Sequence, residues 1–192
     1  MNINTKVQLL TETPSDINEH LPTLVKYGKE SDHITEMGVR WIVSTWAFLA
    51  ATPKKLISYD IQPPSKWGAN LDEVYTKAEQ EKVDYSFKLA NVLDEDIEQT
   101  DLLFIDTWHS YKQLKAELAK FNTKVNKYIA IHDTTNYEFR DEEGYESLGF
   151  LSNTEQKVGL WPAIEEFLEQ HPEWVVHDRY VNNNGLTILK RL

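Results

Sequence analysis

Apolar and polar positions along the chain switch between two periods, and the switches predict the elements. Short apolar runs read as buried strands at 33–37, 55–59, 84–89, 102–105, 128–131, 174–181 and 186–189. Several stop at a polar residue: the second at Asp60, the fourth at Asp106, the fifth at His132 and Asp133. Between them the spacing changes to three and four. Ile17, Leu21, Leu24 and Val25 share a face over 17–29, and Leu71, Val74, Tyr75 and Ala78 do so over 70–81. Leu114, Leu118 and Phe121 do the same over 111–121. Ile164, Phe167 and Leu168 follow over 162–170, where Pro162 stands at a first-turn position. Residues 43–51 are apolar nearly all round, which predicts a buried helix. Asn182, Asn183, Asn184 and Gly185 supply positive φ and predict the turn of a hairpin over 174–190.

Strands alternating with helices and ending in a hairpin predict an α/β fold. The expected architecture is a Rossmann-like, mostly parallel sheet with right-handed crossovers, helices on both faces and the last strand antiparallel. No repeat, low-complexity tract or Gly/Ser-rich linker interrupts residues 1–192, so one domain is expected.

Composition narrows the function. The formal net charge of −11 argues against nucleic acid or an anionic membrane as partner, because both need positive potential. No run of about 18 apolar residues predicts a membrane span. The N-terminal stretch lacks the basic start and apolar region of a signal peptide, so a cytoplasmic setting is expected. The absence of cysteine excludes disulfides, thiolate metal sites and a Cys nucleophile. Oligomeric state is open.

In an open α/β sheet, ligands bind beyond the carboxyl ends of the strands. At the first end, Glu36-Met37-Gly38 is an acidic residue ahead of a single glycine. Gly38 either serves a plain tight turn or lets the backbone approach a ligand. Asp60 is either a turn residue ahead of Pro63-Pro64 or an acceptor for both ribose hydroxyls of a nucleotide-like cofactor. Asp106 with His109, and His132 with Asp133, would stand side by side on neighbouring strands. Asp106, Asp133 and His132 are then candidate ligands of a divalent cation such as Mg²⁺ or Mn²⁺, and His109 a candidate general base. The competing reading makes the two aspartates caps and His132 a satisfied core histidine.

Residues 134–159 form a long polar connection holding Tyr137, Phe139, Tyr145 and Phe150, which is either a lid or a solvated loop. Trp67 and Trp108 lie in predicted loops at the strand ends and suit stacking on a planar ligand. Trp41, Trp46, Trp161 and Trp174 read as core or edge aromatics.

The stretches TEMGVRWIVST, LISYDI, LLFIDTWHSYKQLKAEL, YIAIHDTT, GLWPAIEEFL and WVVHDRYVNNNGLTILKR together resemble a class I S-adenosylmethionine-dependent methyltransferase, over nearly the whole chain. The pair FID..H.Y and HDT is similar to the metal-assisted small-molecule and sugar O-methyltransferases of the cephalosporin hydroxylase-like group. The resemblance implies a seven-stranded sheet and O-methylation of a small, sugar-like hydroxyl acceptor, assisted by a divalent cation. It implies that Glu36 and Gly38 flank the methionine part of S-adenosylmethionine, that Asp60 binds its ribose and that Asn91 lies near adenine. It places Asp106 at cofactor, metal and acceptor, as a catalytic residue beside His109, with Asp133 on metal or acceptor. Three positions depart from the pattern. Ile42 replaces a glycine of the cofactor turn, Ala90-Asn91 replaces Gly-Asp, and His132 stands where some relatives carry a carboxylate. The alternative reading is a non-catalytic module of the same fold that binds S-adenosylmethionine or a nucleoside. A dinucleotide enzyme is disfavoured by the lone Gly38.

Overall fold

Side-chain alternation along the strands decides the layering. In the computed structural model, which describes residues 1–144 and 157–192, Leu102 and Phe104 join a core on one face of the sheet. Leu103 and Ile105, their immediate neighbours, join a second core on the other face. The same alternation separates Tyr128 and Ala130 from Ile129 and Ile131. A central strand buried on both faces must be apolar throughout.

The strands are β1 (His33–Met37), β2 (Lys55–Asp60), β3 (Asp84–Leu89), β4 (Thr100–Ile105), β5 (Val125–His132), β6 (Trp174–Tyr180) and β7 (Leu186–Arg191). They form one seven-stranded sheet in the order β3-β2-β1-β4-β5-β7-β6. β7 runs antiparallel to β5 and to β6, and the remaining pairs are parallel. The first core holds α1 (Ile3–Glu12), α2 (Leu21–Gly28), α3 (Val43–Ala50) and α4 (Asp72–Glu81). The second holds α5 (Tyr111–Phe121) and α6 (Leu160–Gln170). Each fully buried Leu or Phe in these cores contributes about 1.5–3 kcal/mol. The expected sheet, hairpin and helices on both faces are therefore present. At the hairpin turn, Asn183, Asn184 and Gly185 take positive φ. Among the described residues no helix is long and apolar enough to cross a membrane.

Two elements differ from expectation. Helix α1 was not foreseen, because Ile3 and Val7 are its buried residues and its Leu9 is exposed. So narrow a stripe carries little periodic signal. The helix expected over 17–29 begins later. A 3₁₀ turn, Asn18–His20, precedes α2, and Pro22 fits the first turn of α2, where no N–H is required.

Strand order reverses between β1 and β4, so a crevice opens where their carboxyl ends diverge. Beneath it lies a buried carboxylate. Glu36 has no exposed surface, and three hydroxyls donate to it: Ser44 Oγ at 2.6 Å, Thr45 Oγ1 at 2.9 Å and Ser58 Oγ at 2.6 Å. Burial pushes its pKa up from 4.5 to about 7 against the pull of those hydroxyls.

That shift fixes a sign. The unfolded chain ionises Glu36 first, so its contribution to stability is undiminished below about pH 4.5 and declines as pH rises through about 7. Each pKa unit is worth about 1.4 kcal/mol, so Glu36→Gln should remove about 3 kcal/mol of pH dependence between pH 4.5 and 7.5. Urea unfolding of both proteins across that range measures it. Parallel profiles would refute the burial cost assigned to Glu36.

Candidate active site

A cavity of about 340 Å³ opens at the switch point, lined among others by Gly38, Asp60, Asn91, Asp106, His109 and Asp133. The turn between β1 and α3 forms one wall of it, from Gly38 to the exposed Arg40 and Trp41. Gly38 has φ +90°, and a Cβ there would lie 2.0 Å from the backbone oxygen of Asp106. Glycine is thus required by the neighbouring strand end. The two positions beyond it keep a glycine-like conformation without glycine: Arg40 has φ +43° and Ile42 φ +60°. Left-handed backbone costs such residues about 1–2 kcal/mol each. Asp60 offsets part of that cost, because its Oδ2 accepts from Val39 N at 2.9 Å and Arg40 N at 3.0 Å. Its Oδ1 accepts from Gln62 N at 2.9 Å. Asn91 lines the cavity and caps the following 3₁₀ turn, accepting from Leu93 N at 3.1 Å.

Two carboxylates and two imidazoles meet at the ends of β4 and β5. His109 Nε2 lies 3.2 Å from Asp106 Oδ1 and 3.1 Å from Asp133 Oδ2. His132 Nδ1 sits 3.2 Å from Asp106 Oδ1 and 3.1 Å from Asp133 Oδ2. Burial alone would raise the Asp106 pKa. The charge of His132 and hydrogen bonds from both imidazoles outweigh it and hold this carboxyl well below the usual range. Burial would conversely lower both histidines. Asp106 and Asp133 push His132 up to about 10, and hydrogen bonds to Asp106, Asp133 and Glu142 hold His109 well above its ordinary value. The surrounding carboxylates therefore favour the protonated form of His109, and a role as base begins with loss of that proton.

The donor set fits a divalent cation, with one change of member. Asp106, His109 and Asp133 each offer a ligand atom, all within 4.8 Å of one another. Asp133 Oδ1 is buried without a hydrogen-bond partner. Two carboxylates and one imidazole suit Mn²⁺ and related ions. His132, expected in this set, does not line the cavity. It is buried and packs edge-on against His20 at 5.7 Å, with Nε2 unpartnered. Glu36 does not line the cavity; it lies beneath it, bonded to Ser44, which does.

Two residues of the 134–159 connection meet His109: Tyr137, read from the sequence as part of a lid or a solvated loop, and Glu142, which the sequence did not single out. Tyr137 stacks on His109 with ring centroids 4.8 Å apart and planes 6° apart. Glu142 Oε2 meets His109 Nδ1 at 2.8 Å, and its N–H donates to the His109 carbonyl at 2.8 Å. Trp108 Nε1 donates to the Glu142 carbonyl at 2.9 Å. The described start of the expected lid thus lies against His109. Tyr145 and Phe150 fall outside the described residues. Trp108 is buried in the lining, whereas Trp67 is exposed at the rim beside Trp41, at 6.1 Å between centroids.

No protein-family model matches the chain, and no curated protein does. Solved structures share its fold. An O-methyltransferase from Bacillus cereus in complex with SAH aligns with a TM-score of 0.59 at 14% identity, covering 99% of this chain and 90% of that one. The O-methyltransferase TomG from Streptomyces achromogenes, involved in tomaymycin synthesis and solved with SAM, aligns at 0.60 and 10% identity, covering 93% and 81%. A ribosomal protein L11 methylase from Lactobacillus delbrueckii subsp. bulgaricus aligns at 0.51 and 14% identity, covering 90% and 78%. The chain therefore has the fold of the class I methyltransferases. One neighbour is named for a ribosomal protein, so the shared fold does not by itself define an acceptor.

Gly38→Ala should destabilise the protein by about 2–4 kcal/mol, since backbone rather than a flexible side chain meets the new Cβ. A chemical-unfolding midpoint unchanged from wild type would show that the β1–β4 junction yields more easily than its geometry implies.

Proposed function

We propose that this chain is an S-adenosylmethionine-dependent methyltransferase acting on a hydroxyl of a small acceptor, within one domain in the cytoplasm. The observation that carries the reading is one cleft at the switch point, with Asp60 locking the turn on one side and the Asp106–His109–Asp133 cluster on the other. The neighbours solved with SAM or SAH support the cofactor class.

The reaction moves a methyl group from sulfonium sulfur to the acceptor oxygen, releasing S-adenosylhomocysteine and a proton. The sulfonium carries its own leaving group, so the protein's main task is to hold sulfur, methyl carbon and oxygen in line. The Asp60-braced turn and Gly38 shape the cofactor side of the cleft, with Asn91 towards adenine. Asp106 and Asp133 direct negative charge at the reacting end, where the cofactor is cationic. A divalent cation held by Asp106 and Asp133 would lower the pKa of the acceptor hydroxyl and leave His109 Nε2 for the proton. His109, clamped by Glu142 and Tyr137, holds or takes the proton at Nε2.

Isothermal titration with S-adenosylhomocysteine tests the cofactor. Wild type should bind, Asp60→Ala should weaken binding at least about tenfold, and His109→Ala should leave it within about twofold. In turnover assays with an acceptor, His109→Ala should lose about 100-fold or more. No heat and no thermal shift in wild type would refute the reading, and binding without turnover across hydroxyl acceptors would favour the non-catalytic module.

A further inference from the structure

The mouth of the cleft differs in charge from its floor. Asp60, Asp106, Asp133 and Glu142 line the cleft at buried or half-buried positions, while the exposed Arg40 and Lys66 line it beside the exposed Trp41 and Trp67, with the half-buried Asp16 next to Arg40. The Arg40 guanidinium lies 4.0 Å from the Trp41 ring centre and 5.5 Å from that of Trp67, and Lys66 Nζ lies 5.4 Å from Trp67. Both indoles are exposed, by 42% and 38%. Two large exposed aromatics at a cavity mouth are unlike the scattered apolar residues of an ordinary surface.

Stacking engages the face of a guanidinium and leaves its in-plane N–H edge for an oxyanion. The Arg40 side chain donates one hydrogen bond to protein, from Nη1 to Asp16 Oδ2 at 3.4 Å, in an ion pair whose members are both substantially exposed. Such a pair is worth little and yields readily to a better-placed anion. Lys66 forms no ion pair among the described residues. In a chain of net charge −11, two cations held on aromatic faces at one cleft mouth call for an explanation.

We propose that Arg40 and Lys66, steadied by Trp41 and Trp67, form an anion-recognition site at the cleft rim for a carboxylate or phosphate of a ligand whose other end reaches Asp106 and His109. The site deepens the methyltransfer reading and rests on it only for what the anion belongs to. That anion is either part of the acceptor, which would make the acceptor an acidic hydroxy compound or a phosphorylated one, or the carboxylate of the cofactor itself.

Inorganic phosphate is the probe, titrated calorimetrically at low ionic strength with chloride as the control. Wild type should bind it saturably. Arg40→Gln and Lys66→Gln should each weaken binding about tenfold, and Arg40→Lys should recover part of the loss. Circular dichroism checks that the variants, altered at exposed side chains, remain folded. Repeating the titration with saturating S-adenosylhomocysteine separates the sources. Phosphate binding that persists assigns the site to the acceptor, and binding that is abolished assigns it to the cofactor carboxylate. Absence of saturable phosphate binding in wild type, or equal binding by wild type and both Gln variants, overturns the proposal. Failure of S-adenosylhomocysteine to bind would instead count against methyl transfer and leave the phosphate result standing.

Discussion

The junction between β1 and β4 holds the rest of the molecule to its shape. Asp106 N donates to the Met37 carbonyl at 2.8 Å, and Gly38 N donates to the Tyr59 carbonyl at 2.9 Å. Three adjacent strands are thus tied where the sheet's order reverses. The Asp106 backbone oxygen then fills the place a side chain at position 38 would need. From this contact the chain departs in opposite directions: β1 into the turn braced by Asp60, β4 into the loop that carries His109. The cleft is the gap between those departures. Its two sides, one built on the turn braced by Asp60 and one dense with titratable groups, share a single backbone contact as their origin.

The side of the cleft at the ends of β4 and β5 gathers charge that an isolated group could not sustain. Transferring one carboxylate into a buried site costs several kcal/mol unless a partner compensates. Here Asp106 and Asp133 are each approached by both His109 and His132, which supply the compensation from within the chain. Glu142 and Tyr137 fix the orientation of His109, so the imidazole is held rather than swinging in the cleft. A metal cation would compete with His109 for the same two carboxylate oxygens. Cation binding and the protonation of His109 are therefore coupled through Asp106 and Asp133.

Much of this was legible in the sequence because strands buried on both faces leave unbroken apolar runs and end abruptly at polar residues. Asp60, Asp106, Asp133 and Asn91 could be placed on the cleft from those endings alone. The misplacements have definite causes. Glu36 ends in the interior because three hydroxyls scattered over α3 and β2 enclose it, and no local pattern announces such a convergence. Asp133 lies just past the end of β5 with φ +60°, which turns it into the cavity, whereas His132 ends the strand in the core, with Nδ1 on the carboxylates of Asp106 and Asp133 and its ring against His20. Tyr137 and Glu142 sit in a polar loop whose residues resemble ordinary solvated ones. Helix α1 carried too few buried residues for its period to register.

The turn after β1 shows where a left-handed backbone tolerates a residue other than glycine. At Arg40 and Ile42 the requirement is conformational, a left-handed backbone costing about 1–2 kcal/mol per residue. Favourable contacts can offset a cost of that size. Ile42 is 7% exposed and gains about 1.5–3 kcal/mol from burial, while Arg40 has the carboxylate of Asp60 on its N–H and Trp41 against its side chain. At Gly38 the requirement is steric, set by backbone atoms of β4 that cannot rotate away. No side-chain packing offsets an approach to 2.0 Å of the backbone of a strand that also places Asp106. Gly38 is therefore the position whose replacement would move the site, while at Arg40 and Ile42 neighbouring contacts absorb the cost of the left-handed backbone.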